Sequence, residues 1–181
     1  MSHHIVITGA PASGKTEFLH RLKDHHSFCD FVFFDELARQ LLLEDPQYRQ
    51  DRRRFHSELY RRQVAREEHL GERPFITDRG TADAFAFHRE TMHQVGTTLD
   101  REYRRYTAVV QFGSTASLGE AYYQCDEIRQ ETIEQALSIE RAIRNIWCGH
   151  PGYRWVEARI DPGAKYTDCL KLLTDLVRQP G

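Results

Sequence analysis

The stretch Gly9-Ala10-Pro11-Ala12-Ser13-Gly14-Lys15-Thr16 fits the pattern Gly-x4-Gly-Lys-[Ser/Thr]. Each part of that pattern has a task in holding phosphate. Glycines let the backbone curl so that successive N–H groups aim at phosphate oxygens. A helix opening at the end of the loop turns its positive end toward the same anion. The lysine reaches the outer phosphates, and the next hydroxyl is suited to Mg²⁺. The context agrees. A strand-like run, His4 to Thr8, precedes the loop, and Glu17 to His26 follows with Phe18, Leu19 and Leu22 on one helical face. The expected phosphate-contacting set is Gly9, Ala12, Ser13, Gly14, Lys15, Thr16 and Glu17, with a nucleoside triphosphate and Mg²⁺ as ligands.

Beyond the loop, strand-like and helix-like segments alternate, which predicts an α/β fold with a mostly parallel sheet. Further strands are expected at Asp30–Phe34, Pro74–Thr77, Tyr106–Phe112 and Arg154–Ile160. Helices are expected at Glu36–Leu43, Gln47–Leu70, Thr81–His93, Cys125–Trp147 and from Pro162 to near Val177. His93–Leu99 reads as a loop. So does Gly113–Gln124, which is polar and rich in small residues. One domain over residues 1–181 is expected, with 113–147 as a lid segment and no internal repeat.

Composition narrows the class. The chain has 181 residues, 40% hydrophobic and 29% charged, with a formal net charge of −2. That is a globular profile, not a disordered one. No run approaches the roughly 18 apolar residues of a membrane span. The start lacks a basic segment followed by a long apolar one, so a signal peptide is not expected and the location expected is cytoplasmic. The cysteines, Cys29, Cys125, Cys148 and Cys169, are scattered with no Cys-x-x-Cys, and reduced thiols are expected. The charge balance argues against a nucleic-acid coat. Lys15, Lys23, Lys165 and Lys171 are the only lysines among 25 basic residues; the rest are arginine.

Two carboxylate positions follow from spacing. Phe31-Val32-Phe33-Phe34-Asp35-Glu36 lies about twenty residues after Lys15, on the strand after the first helix. A carboxylate there can take the proton from an attacking hydroxyl. Asp35 or Glu36 fits that role, and Asp35 also fits an N-cap of the next helix. Asp78, in Phe75-Ile76-Thr77-Asp78-Arg79-Gly80, ends a short strand where a magnesium-orienting carboxylate belongs. Its alternative is a cap of the helix near Thr81. Arg79 then sits beside the phosphates.

On the helix expected at Cys125–Trp147, one broad face carries Ile128, Ile133, Ala136, Ile139, Ile143, Ile146 and Trp147. Arg129 and Glu140 fall inside that arc, with Arg144 at its edge. They either pair with each other or supply lid arginines that close over the transferring phosphoryl group. The catalytic candidates are thus Lys15, Asp35, Glu36, Arg79, Arg129 and Arg144, with Thr16 and Asp78 for the metal. The histidine pairs lack metal-ligand spacing, and Arg52-Arg53-Arg54 reads as a solvated helix face or a contact to an acceptor phosphate. A guanine-reading Asn-Lys-x-Asp is absent, since Asn145 is the only asparagine and Ile146 follows it. This favours ATP.

Ile7-Thr8-Gly9 through Thr16, Glu36-Leu37-Ala38-Arg39, Thr77-Asp78-Arg79-Gly80 with Asp83, Ile128-Arg129 and Glu140-Arg141-x-x-Arg144 resemble a known group. It is the small P-loop proteins described as AAA-type ATPase domains but built like nucleoside kinases, including the nicotinamide-riboside kinase domain of the NAD-synthesis regulator. The resemblance implies a three-layer α/β/α P-loop NTPase fold, with a five-stranded parallel sheet, flanking helices and a helical lid. It implies ATP and Mg²⁺, with Thr16 and Asp78 serving the metal and Arg79 facing the substrate. Many members have Pro-Glu-Ala-Ala-Arg where this chain has Phe34-Asp35-Glu36-Leu37-Ala38-Arg39, so two candidate bases stand side by side.

The expected activity is ATP- and Mg-dependent phosphoryl transfer to a hydroxyl of a small, nucleoside-like metabolite. No membrane partner is expected, and the oligomeric state is open. The alternative is an ATP-binding regulatory ATPase acting on a protein or nucleic-acid partner. Its support is the motor-like Phe33-Phe34-Asp35-Glu36 and the arginine-rich helix.

Overall fold

Ile5, Val6 and Ile7 are fully buried, as a strand covered on both faces must be. They form the middle of β1 (His4–Gly9) in a computed structural model that describes residues 2–123 and 131–178. The other strands are β2 (Val32–Phe34), β3 (Phe75–Asp78), β4 (Ala108–Phe112) and β5 (Tyr153–Val156). They pair in the order β2-β3-β1-β4-β5, every pair parallel. Ile7 lies opposite Asp78 on β3, and Gly9 opposite Phe112 on β4. All strand ends therefore emerge at one edge, with the chain crossing from one side of β1 to the other between β3 and β4. That is where ligands bind in open parallel sheets.

The helices are α1 (Lys15–Lys23), α2 (Leu37–Glu44), α3 (Arg52–Leu70), α4 (Asp83–Phe87), α5 (Thr91–Val95), α6 (Leu99–Tyr103), α7 (Ile133–Trp147) and α8 (Pro162–Arg178). They cover both faces of the sheet and make the fold a three-layer α/β/α sandwich. On one face Phe18, Leu19 and Leu22 of α1 and Cys169 and Leu173 of α8 pack on Ile5, Ile7, Val110 and Phe112. On the other, Ala84 and Phe85 of α4 and Ile143 and Trp147 of α7 pack on Val6, Phe75 and Val109. A third cluster joins Ala116, Tyr123 and Ala136 beside Ala12 of the phosphate loop.

Several expected boundaries are corrected. The helix expected at 47–70 is interrupted: Pro46–Arg49 is a 3-10 turn, and Asp51 caps a fresh start through the Arg54 N–H at 2.9 Å. The helix expected at 81–93 is two, because His88 is extended between α4 and α5. The segment after the 93–99 loop holds α6, capped by Thr98. The helix expected from Cys125 begins at Ile133, where Thr132 and Gln135 form a capping box. The positions expected to open that helix, 125–130, lie outside the described residues. Among the described residues no helix is long and apolar enough to cross a membrane.

Candidate active site

The loop between β1 and α1 keeps its shape through backbone geometry. Gly9 has φ 151°, and a Cβ there would lie 2.5 Å from the Phe112 carbonyl oxygen. Gly14 is left-handed at φ 80°. So is Ala12 at φ 58°, which a residue with a Cβ adopts only under strain. The loop carbonyls are held from outside. Ser114 Oγ donates to Pro11 O at 2.5 Å, the Thr115 N–H to Ala12 O at 3.1 Å and Lys165 Nζ to Ser13 O at 2.8 Å.

Lys15, at the start of α1, is buried, with Nζ 3.4 Å from Ser13 Oγ. Burial and the nearby Arg79 charge lower its pKa, and Asp78, Glu36 and Asp83 oppose the shift. Thr16 and Glu17 are exposed on the first turn of α1.

Across from the loop, four charged side chains meet at the ends of β2 and β3. Arg79 Nε donates to Glu36 Oε1 at 2.7 Å, and its Nη1 lies 3.7 Å from Asp83 Oδ1. Asp83 is fixed by the Thr8 hydroxyl at 2.5 Å, the Gly80 N–H at 2.8 Å and the Trp147 indole N–H at 3.2 Å. Arg79 has φ 68°, the second left-handed residue with a side chain. Burial pulls the Glu36 carboxyl up, but Arg79 and Lys15 outweigh it and hold Glu36 below its ordinary value. Burial raises the Asp78 carboxyl, and Lys15 and Arg79 only partly offset this.

The cluster opens into a cavity of about 250 Å³. Glu36, Asp78, Arg79 and Asp83 line its polar end, and Leu37, Leu42, Phe55, Leu59, Phe87 and Ile139 the rest. Buried side-chain polar atoms without a hydrogen bond among the described residues include Asp78 Oδ1, Arg79 Nη1 and His56 Nδ1, all on residues lining this cavity. Leaving such a group unpaired costs about 1–3 kcal/mol.

No cluster of three or more His, Cys, Asp or Glu among the described residues is arranged to hold a metal alone. Mg²⁺ commonly uses one or two carboxylates together with substrate phosphates. The unpartnered Asp78 oxygen and the exposed Thr16 hydroxyl are an all-oxygen pair that fits it.

The structure separates the sequence candidates. Lys15, Glu36, Asp78 and Arg79 come together. Asp35 does not join them. It is 83% exposed, its carboxylate 2.7 Å from Lys23 Nζ. Nor does it cap α2, whose N-cap position is Glu36 and has no side-chain cap. Asp78 caps no helix either, since α4 starts after Ala82. Arg144 is exposed, with its guanidinium 5.0 Å from the centre of the Trp155 ring on β5 and away from the cavity lining. Glu140 accepts the Ser114 N–H at 2.6 Å, so it supports the segment after β4 rather than a helix arginine. Arg129 lies outside the described residues. In the Arg52–Arg54 run, Arg52 donates to Phe87 O at 3.0 Å and Arg54 lies 3.2 Å from Asp45, while Arg53 is solvated.

Sequence reading missed Lys165, and it missed the polar lining of α3. His56 and Gln63 of α3 are buried and border the cavity. Gln63 donates to Thr77 Oγ1 at 3.0 Å and to Glu67, which also accepts from the Tyr106 hydroxyl at 2.8 Å.

Comparison with known proteins agrees with this architecture. No curated protein matches the chain. Among solved structures, deoxyadenosine kinase from M. mycoides with bound dATP superposes with a TM-score of 0.63 at 10% identity, over 94% of this chain and 98% of that one. At that identity the match establishes the fold alone, the α/β/α P-loop NTPase sandwich also seen in that kinase. The AAA domain family matches residues 4–163, nearly the whole span from β1 to the first turn of α8. With that match over most of its length, the chain belongs to the AAA domain family of P-loop proteins.

Proposed function

We propose that this protein transfers the terminal phosphoryl group of ATP to a hydroxyl of a small, nucleoside-like acceptor. The observation that carries this reading is a pair of buried atoms without a hydrogen bond among the described residues, Asp78 Oδ1 and Arg79 Nη1, on residues that line a cavity beside the phosphate loop. Lys15 and the loop N–H groups hold the outer phosphates. Thr16 and Asp78 hold Mg²⁺, which when bound neutralises charge on the β and γ oxygens. Glu36, kept ionised by Arg79, orients the acceptor hydroxyl and takes its proton. Arg79 Nη1, which has no hydrogen bond of its own among the described residues and lies 3.7 Å from Asp83 Oδ1, donates to the transferring group.

The cavity favours a small acceptor over a macromolecule. Its lining sets Glu36, Asp78 and Asp83 against Arg79 alone at the polar end, which suits a neutral or cationic acceptor better than a nucleoside monophosphate. A nicotinamide-riboside-like acceptor satisfies both conditions. The segment 113–147 is the proposed lid. Arg144 serves the reaction only if it leaves the Trp155 ring.

The test is ADP formation from ATP and Mg²⁺ across nucleosides, deoxynucleosides, nucleoside monophosphates and nicotinamide riboside, with mass spectrometry of the product. A single acceptor class yielding a new phosphate ester is the expected result. Slow hydrolysis independent of every acceptor overturns it in favour of an ATPase working on a macromolecular partner.

A further inference from the structure

Lys165 does not line the acceptor cavity, yet it reaches the phosphate loop from behind. Its ammonium donates to Ser13 O at 2.8 Å and to Gly113 O at 2.7 Å. One side chain on α8 thus joins the loop after β1 to the end of β4. Both bonds are charge-assisted, and the residue is only 8% exposed. Its bonded partners are carbonyls, not a carboxylate, so its charge is not cancelled by an ion pair. The groups that face it are Cys169 on α8, Glu140 on α7, Lys15 on α1 and the Phe112 ring on β4, 5.3 Å away. A solvent-facing lysine would need no such placement. A buried ammonium with no ion-pair contact and Glu140 only as a more distant opposite charge costs free energy that bound phosphate is able to recover.

We infer that Lys165 is a positioning residue for nucleotide binding. It holds the Ser13 carbonyl on the outer side of the loop, so that the loop presents N–H groups to phosphate, and it adds a positive charge beneath them. Burial already pulls the Lys165 ammonium down to about 8, against the opposing influence of Cys169 and Glu140. A polyanion above it raises that value again, so ATP binding draws a proton onto Lys165 in mildly alkaline solution.

The inference rests on the nucleotide-binding reading given above. The test is calorimetric binding of Mg-ATP to the full chain and to Lys165→Met, in buffers of different ionisation heat near pH 8. The variant is expected to bind ATP about tenfold more weakly or worse. It is also expected to lose most of the proton uptake seen in the wild type, while the KM for the acceptor stays unchanged. A folded variant that binds ATP with wild-type affinity and wild-type proton uptake overturns the inference.

A second measurement needs no variant at position 165. The chain has so few lysines that ¹³C-labelled Cε signals can be assigned by elimination with Lys15→Ala, Lys23→Arg and Lys171→Arg. The Lys165 signal is expected to titrate near pH 8 and to shift to higher pH with ATP. A titration that ATP leaves unmoved overturns the inference. A wild-type chain that does not bind ATP overturns the nucleotide reading itself, and this proposal with it.

Discussion

On the side of the loop between β1 and α1, the cleft is mostly backbone: the loop shaped by Gly9, Ala12 and Gly14, with its carbonyls held by Ser114, Thr115 and Lys165, and only the Lys15 and Thr16 side chains added to it. On the opposite side it is side chains: Glu36, Arg79 and Asp83 at the polar end and residues of α2, α3 and α4 around them. A backbone site needs one contiguous stretch with the right φ angles, and eight residues supply it. A side-chain site is assembled from positions tens of residues apart. The first kind can hold any triphosphate. On the proposed reading the second has to choose an acceptor, with contacts that leave no compact trace in the chain.

The contrast can be broken or sharpened by substitution. Lys15→Ala is expected to have the largest effect, reducing phosphoryl transfer by about 10³-fold or more. The circular-dichroism melt should persist, and turnover near the wild-type rate in a clean preparation would sink the reading. Glu36→Gln is expected to lower kcat by about 10²–10⁴-fold, whereas Asp35→Asn should stay within a few-fold. Equal losses from the two would return the base assignment to an open choice.

The same carboxylate sets a pH expectation. Glu36 is held below its ordinary value, and its ionised form is the one that accepts a proton. The acid limb of kcat/KM should therefore lie below the usual glutamate range, with activity full above it and lost as pH falls through it. The ion pair with Arg79 adds stability over the same window: present above the ordinary pKa, lost as pH drops past the depressed one.

Smaller effects probe the support behind each wall. Tyr106→Phe removes the hydroxyl that accepts the Thr81 N–H at 2.8 Å and donates to Glu67. It should cost about 1–3 kcal/mol in denaturant unfolding, as expected for stranding buried polar groups. It should also raise the acceptor KM more than the ATP KM, because Thr81 lines the acceptor cavity. Thr132→Ala dismantles the α7 capping box and should cost about 1 kcal/mol with little change in kcat.

The sequence carries the sheet well and the site unevenly. All five strands fall near the short apolar runs that predict them; the buried β1, β3 and β4 leave the clearest signal, while the edge strands β2 and β5 are only partly buried and β5 ends at Val156, short of the expected 154–160. Spacing along the chain picks out Lys15, Asp78 and Arg79, which the fold brings together with Glu36, and places Thr16 on the first turn of α1. Asp35 and Glu36 are adjacent, and spacing cannot divide them; Lys23 draws one outward and Arg79 draws the other inward. The helix α3 misleads more deeply. Periodicity tracks apolar residues, yet the residues it buries are His56, Ser57, Gln63 and Glu67. Three of them are satisfied by partners from distant segments: Gln94 bonds Ser57 at 3.0 Å, and Thr77 and Tyr106 bond Gln63 and Glu67, while His56 Nδ1 has no hydrogen bond among the described residues. Lys165 did leave a faint signal. In a chain that uses arginine almost everywhere, two of its rare lysines, Lys15 and Lys165, are buried at the same loop.

The central position of β1 has a consequence for how the chain is made. β1 precedes both of its neighbours in sequence, pairing with β3 at 75–78 and with β4 at 108–112. A chain emerging from the ribosome therefore exposes Ile5, Val6 and Ile7 with one edge open until some hundred further residues have followed. An unpaired apolar edge is a template for association with other chains. Truncations ending before Ala108 are expected to aggregate, and slow elongation through 79–107 lengthens the interval in which a chaperone has to cover that strand.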